Sequence, residues 1–271
     1  MDMRARGMGW IPDYPDIRDY TKETAEVREI LAGGEGGGAG ARRAGGTGRT
    51  HGARAALPAK VDLREWCSAV EDQGMLGSCT ANAGAGVIEY YERRTFKKHV
   101  EVSRLFLYKV TRNLMKMKGD TGGFLRTTMG AMVLFGVPPE DYWPYTDSQD
   151  GFDREPPAFC YAFAQNYQAI KYYRHDPPGS RLAEVRERIE GGHAIIAVGY
   201  NDKMKIENRG EGAGAGITTT EGAFLIRNSR GESWGEAGYG WLPYEYVTRG
   251  LAEDFWSVLK KEWIDTGEFV E

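Results

Sequence analysis

The division of this chain into a helix-patterned stretch followed by a strand-patterned one most limits what it can fold into. Between residue 57 and about residue 162 the apolar residues recur at helical spacing. Residues 80–94 read as one helix, 104–115 as a second carrying Leu105, Leu107, Val110 and Leu114, and 125–135 as a third that stops at Gly136-Val137-Pro138-Pro139. From residue 163 onward, β-branched and aromatic runs at 167–173, 194–200, 223–227 and 240–244 are separated by Gly, Asn and Asp. Helices segregated from strands predict an α+β protein in two halves, a helical one over about 57–162 and a β one over about 163–271, with any active site in the cleft between them. The 271 residues, 41% hydrophobic, suffice for a substantial core.

Residues 1–56 read as an extension ahead of that body. Its first part, Gly9-Trp10-Ile11-Pro12-Asp13-Tyr14-Pro15, is rich in proline and aromatics, and 21–31 reads as a short helix capped by Thr21. Residues 33–52 are dominated by Gly, Ala and Arg with almost no large apolar side chain, the composition of a linker. The extension is expected either to pack on the body through Trp10 and Tyr14, or to lie in the cleft as an inhibitory segment tethered by that linker. Asp13, Asp16 and Asp19 interleave with proline and aromatics in no calcium-loop pattern, so they read as the solvated acids of a pinned extension.

A formal net charge of −4 leaves no basic surplus for nucleic acid or an anionic membrane. No apolar run is long enough to span a bilayer and the N-terminus has no signal-like apolar stretch, so the expected location is cytoplasmic. The three cysteines, Cys67, Cys79 and Cys160, form no CxxC pair, and the four histidines no helical i, i+4 pair, so neither a metal site nor a cofactor is expected. Cys67 and Cys160 read as small buried hydrophobes.

The remaining cysteine carries chemistry. Cys79 follows Gln73-Gly74-Met75-Leu76-Gly77-Ser78 and opens a helical run, where unpaired N–H groups and the positive end of the helix dipole favour the nucleophilic thiolate. Gln73 can offer a side-chain N–H to the same small volume, as an oxyanion site requires. Downstream, only His193, in Gly191-Gly192-His193-Ala194-Ile195-Ile196, is set in an apolar strand context that would hold an imidazole as acid and base. Such a base needs a group to fix its tautomer, and Asn228, at the exit of a strand able to pair with that of His193, is the candidate.

With the order Gln, Cys, His, Asn complete, the chain resembles the papain-like (C1) cysteine peptidases, especially their prokaryotic members. The matching blocks, from about residue 57 to 246, are Val61-Asp62-Leu63-Arg64, Gln73-Gly74 with Gly77-Ser78-Cys79, Gly122-Gly123, Gly192-His193-Ala194, Asn228-Ser229, Trp234-Gly235 and Gly238-Tyr239. The resemblance implies a two-lobed fold with Cys79 as nucleophile, His193 as acid and base, Asn228 as orienter and Gln73 as oxyanion donor. It further implies that Gly122 and Gly123 present backbone to an extended polypeptide substrate, with Trp234 on the cleft wall. The alternative is a catalytically silent papain-like fold that binds extended peptides or a partner protein.

Several positions depart from the family pattern. Leu76 and Thr80 replace the cysteine and aromatic that flank the Gly-Ser-Cys centre. Arg230 stands in place of a tryptophan, where its charge is expected to lower the basicity of His193. His193 follows Cys79 by 114 residues, and a charged helix over 182–189 precedes it, so a central strand is expected to be missing there. Residues 201–221 form a long polar, Gly-rich insertion, expected to be a hairpin or loop near the cleft rim.

Overall fold

The computed structural model describes residues 7–34, 57–176, 191–209 and 216–261. The first helix, α1, is Ala25–Gly34. It starts later than Thr21 because residues 21–24 form a turn of their own, in which Thr24 N–H bonds the Thr21 carbonyl and the Thr24 carbonyl takes the first helical N–H, that of Arg28.

The helical half contains α2 (Cys79–Tyr91), α3 (Arg104–Leu114), α4 (Leu125–Leu134) and α5 (Ala158–Ala164). Ser103 caps α3, its Oγ accepting the Phe106 N–H at 3.1 Å. Helix α2 is buried on nearly every face, and its small residues explain how. A Cβ at Gly84 would stand 2.9 Å from Leu107 and Met132, and one at Gly86 would stand 2.7 Å from Ile196. The missing side chains let the other helices approach α2 from one side and the sheet from the other. The α2 pattern stops short of residue 94 because Glu92–Phe96 widen into a π-type turn that ends at Lys97 with φ of 57°.

The strands are β1 (Lys60–Asp62), β2 (Ala169–Arg174), β3 (Ile196–Arg209), β4 (Ile217–Arg227), β5 (Tyr239–Pro243) and β6 (Trp256–Lys261), with a short helix α6 (Tyr244–Thr248) after β5. One antiparallel sheet has the order β1-β3-β4-β5, and β2 pairs with β6 in a separate two-stranded ribbon. The polar insertion is a continuation of the β3–β4 ladder, which runs from Ile196 opposite Arg227 out to Arg209 opposite Ile217.

The two halves exchange arms. Strand β1, from the helix-patterned part of the sequence, pairs with β3, while Ala169 and Val258 of the ribbon pack into the helical core around Leu105, Phe106 and Met132. A second core of Val70, Val198, Leu225 and Tyr239 lies under the sheet, and a third, small cluster of Cys79, Ala83 and Ala194 sits where the halves meet. The charged helix expected over 182–189, the missing strand expected beside it, and the linker from residue 35 on lie outside the described residues. Among the described residues no helix is long and apolar enough to cross a membrane.

Candidate active site

Cys79 is the first residue of α2 and has no solvent exposure. Cys67 and Cys160 are also free and buried, and their sulfurs face the carbonyls of Leu63 and Tyr142, Cys67 also meeting the Tyr239 hydroxyl. Burial pushes the Cys79 thiol up, while the N–H groups of Ala194, Gly9, Thr80 and Trp10 pull it back down. His193 sits three residues before β3 and Asn228 one residue after β4, so the pairing of Ile196 with Arg227 brings the two to the same end of the hairpin.

There His193 Nε2 lies 2.7 Å from Asn228 Oδ1. The Ser229 N–H, which can only donate, also bonds that oxygen at 2.8 Å. This fixes which way the amide faces, so Nε2 carries the ring proton and Nδ1 keeps the lone pair. Nδ1 is buried with no hydrogen-bond partner. Burial is the main cause that holds the His193 pKa below its usual value; the Asn228 bond opposes it, and the Arg230 charge adds to it as the sequence suggests.

Gln73 is fully buried and held on three sides. Its N–H bonds the Ser229 carbonyl at 2.9 Å, its carbonyl accepts the Tyr145 hydroxyl at 2.8 Å, and its Oε1 accepts the Ser229 hydroxyl at 2.5 Å. That leaves Nε2 to donate, to the carbonyls of Leu76 at 2.7 Å and Gly7 at 2.9 Å. Ser229 thus sets the amide's orientation while Tyr145 anchors the Gln73 backbone, roles that sequence reasoning missed. Ser229 lay inside a recognised motif, but nothing in the order of residues pairs it with Gln73, 156 positions away.

The second bond shows where the N-terminal extension goes: it lies in the cleft. Gly123 N–H donates to the Gly9 carbonyl at 2.7 Å, Ile11 N–H to the Gly123 carbonyl at 3.1 Å, and Trp10 N–H to the Gly192 carbonyl at 3.0 Å. The segment therefore adds a strand-like stretch between the two walls, parallel to Gly123 and antiparallel to Gly192. The fit is backbone against backbone. A Cβ on Gly9 would fall 1.7 Å from the Gly77 carbonyl oxygen, and one on Gly122, whose φ is +76°, would fall 2.3 Å from the Gly9 carbonyl oxygen. The share of packing expected of Tyr14 is corrected by the structure, since that residue is 55% exposed; Trp10 packs against the small cluster around Cys79.

Asp13 and Asp19 are not solvated acids, a second correction. Arg126 grips both, bonding Asp19 through Nε at 2.7 Å and Asp13 through NH1, and it also takes the Tyr14 carbonyl. Charge attraction across the cleft rim outweighs the hydration that isolated acids would have kept. Asp16 alone stays at the surface, paired with Arg18. Trp234 is half-buried against the backbone of Gly240. Among the described residues no group of three or more His, Cys, Asp or Glu could hold a metal.

A thiol at a helix start, an imidazole held by an amide, and a buried amide donor thus meet at the junction of a helical and a β half. The family model for papain family cysteine proteases matches residues 57–257, and the chain belongs to that family. It is 30% identical over 237 residues to an uncharacterized peptidase C1-like protein of Acanthamoeba polyphaga mimivirus, covering 69% of this chain and 68% of that one. A cysteine protease of Blomia tropicalis is 25% identical, over 72% of this chain and 64% of its own length. Among solved structures, xylellain, a cysteine protease from Xylella fastidiosa, superposes with a TM-score of 0.62 at 27% identity, covering 94% of this chain and 96% of that one.

Proposed function

We propose that this protein is a cysteine peptidase whose N-terminal segment lies across its own cleft. The observation that carries the reading is the Gly7 carbonyl on Gln73 Nε2 beside Cys79: a polypeptide already occupies the position a substrate would take. The segment faces the sulfur with the N–H groups of Gly9 and Trp10 and so covers it.

With the segment displaced, His193 Nδ1 takes the thiol proton and the Cys79 sulfur attacks the substrate carbonyl. The oxyanion is held by Gln73 Nε2 and the Cys79 N–H. The imidazolium then gives its proton to the leaving amine as the C–N bond breaks. Water, deprotonated by the same Nδ1, hydrolyses the thioester and restores the thiol. Asn228 keeps the ring proton on Nε2 throughout.

The chain carrying Gly9→Ala, whose new methyl cannot fit beside the Gly77 carbonyl and so frees the cleft, should hydrolyse an unfolded protein substrate and react with a thiol-directed epoxide, and adding Cys79→Ala should abolish both. Binding of extended peptides with no hydrolysis, and no difference when Cys79→Ala is added, would assign the fold to a binding role instead.

A further inference from the structure

The Leu76–Gly77 peptide unit, just ahead of Cys79, is gripped from both sides. Its carbonyl accepts the Gln73 Nε2 N–H at 2.7 Å, and its N–H donates to the Asp120 carboxylate, at 2.9 Å to Oδ1 and 3.2 Å to Oδ2. A trans peptide points its C=O and N–H in opposite directions, so the two bonds together fix the plane of the unit. Nothing covalent does so: all three cysteines are free, and Leu76 stands where the family pattern has one. Gly77 has no Cβ to resist rotation about its φ.

Asp120 is itself held in place. Its Oδ1 also accepts the Tyr108 hydroxyl at 2.5 Å, and the oxygen of that hydroxyl accepts the Gly122 N–H at 3.0 Å. Tyr108 has no solvent exposure, and over its ring, 4.1 Å from the centre, lies the Arg112 guanidinium, whose NH1 bonds the Gly119 carbonyl at 2.5 Å. The Asp153 carboxylate takes the Gly119 N–H at 2.9 Å. The residue before Asp120 is thus anchored by both its backbone groups, although Asp120 lies at the surface. Through this one carboxylate the Cys79 loop is tied to the wall that carries Gly122 and Gly123.

We propose, resting on the peptidase reading above, that Asp120 is a positioning residue of the oxyanion site. A primary amide has two N–H groups, and Gln73 Nε2 places one on the Leu76 carbonyl and the other on the Gly7 carbonyl, where the substrate oxyanion would lie. The direction of the second is set by where the first finds its acceptor. Asp120 keeps that acceptor still. Without the carboxylate the Leu76–Gly77 unit is free to turn, its carbonyl leaves the line of Nε2, and the other N–H no longer points at the carbonyl oxygen under attack. The carboxylate therefore matters for steps that build negative charge on that oxygen, and not for attack of Cys79 on saturated carbon.

All variants in the test are made in the full-length Gly9→Ala chain, where the cleft is open. Asp120→Ala, a change at the surface, should lower kcat on a peptide substrate about tenfold with KM within about twofold. A peptide aldehyde gives a second readout. The Cys79 sulfur bonds to its carbonyl carbon, the thiol proton passes to His193 and the π pair moves to oxygen, which then lies in the oxyanion site; the affinity should fall about tenfold. Iodoacetamide loses iodide to the same sulfur and builds no oxyanion, so Asp120→Ala should leave the Cys79 alkylation rate within about twofold. In Asp120→Asn the amide oxygen can replace Oδ1 as acceptor of both bonds, and kcat should recover to within about threefold of the Gly9→Ala chain. With Gln73→Ala already present, adding Asp120→Ala should change kcat by less than about twofold, because the group it positions is gone.

Unchanged kcat in Asp120→Ala, an equal fall in aldehyde affinity and iodoacetamide rate, or full additivity with Gln73→Ala overturns the assignment and leaves the peptidase standing. A Gly9→Ala chain that alkylates freely at Cys79 yet cleaves nothing overturns the peptidase reading and the assignment together.

Discussion

Replacing Gly9 by alanine is the sharpest way to ask whether the N-terminal segment gates Cys79. The new methyl would stand 1.7 Å from the Gly77 carbonyl oxygen and 2.2 Å from its carbon, both backbone atoms that cannot swing aside. Relief requires Gly9 to move by more than an ångström. That breaks the 2.7 Å bond from Gly123 N–H to the Gly9 carbonyl and the 2.9 Å bond from Gln73 Nε2 to the Gly7 carbonyl. Two such bonds at about 1 kcal/mol each come to roughly 2 kcal/mol, or about 30-fold in the open-to-closed ratio. The Arg126 clamp on Asp13 and Asp19 survives, so the segment remains tethered while its tip leaves the sulfur. The assay is the rate of Cys79 labelling by a thiol-directed epoxide, read by intact mass and expected to rise about 30-fold. A folded Gly9→Ala chain with the parent's labelling rate would refute the gating argument. Met8→Ala, at an exposed side chain in the same segment, is the control and should change little.

Other outcomes follow from the same contacts. Gln73→Ala, which removes the proposed oxyanion donor, should lower kcat by about 10²–10³ with a smaller effect on KM, measured on a peptide substrate in the Gly9→Ala background. Arg126→Ala strips the clamp from Asp13 and Asp19; it should speed Cys79 labelling at least tenfold and cut stability by about 2–3 kcal/mol in a denaturant titration. The pH dependence of labelling should separate open from closed chains. Burial raises the Cys79 pKa in the closed form, so its thiol binds a proton the open form gives up more readily, and closure is fully favoured below the ordinary thiol pKa and weakens as pH rises through it. The iodoacetamide midpoint should therefore lie lower in Gly9→Ala than in the parent, and equal midpoints would count against burial as the cause. His193 has the opposite sign: its folded pKa is below 6.5, so the stability it contributes is complete above that value and is lost as pH falls below it.

Much of the site was legible because its parts are local. A glycine-punctuated loop running into small residues marks Cys79 as a helix start, since only small residues let α2 be packed from both sides. His193 and Asn228 announce themselves by their places at the beginning and end of apolar strand runs, and antiparallel pairing does the rest. The extension was harder. Its glycines and proline read as loop, and either resting place was compatible with its composition; backbone pairing with Gly123 and Gly192 decided it, through contacts with no periodic trace in the sequence. Asp13 and Asp19 looked solvated because Arg126, more than a hundred residues on, gives no local sign that it will meet them. The long insertion was legible as a hairpin or a loop, and backbone pairing between β3 and β4 decided for the hairpin, because polar residues leave no apolar alternation to mark a ladder.

The sequence by itself determined the two-part α+β pattern, the helix-borne thiol and the order of Gln73, Cys79, His193 and Asn228, because periodicity and turn chemistry act over a few residues. Tertiary structure alone decided that residues 7–11 lie in the cleft and that the Trp10 indole meets Asp254. Those contacts join residues as far as 244 positions apart, and which of them meet is settled by how the two halves bury their surfaces against each other.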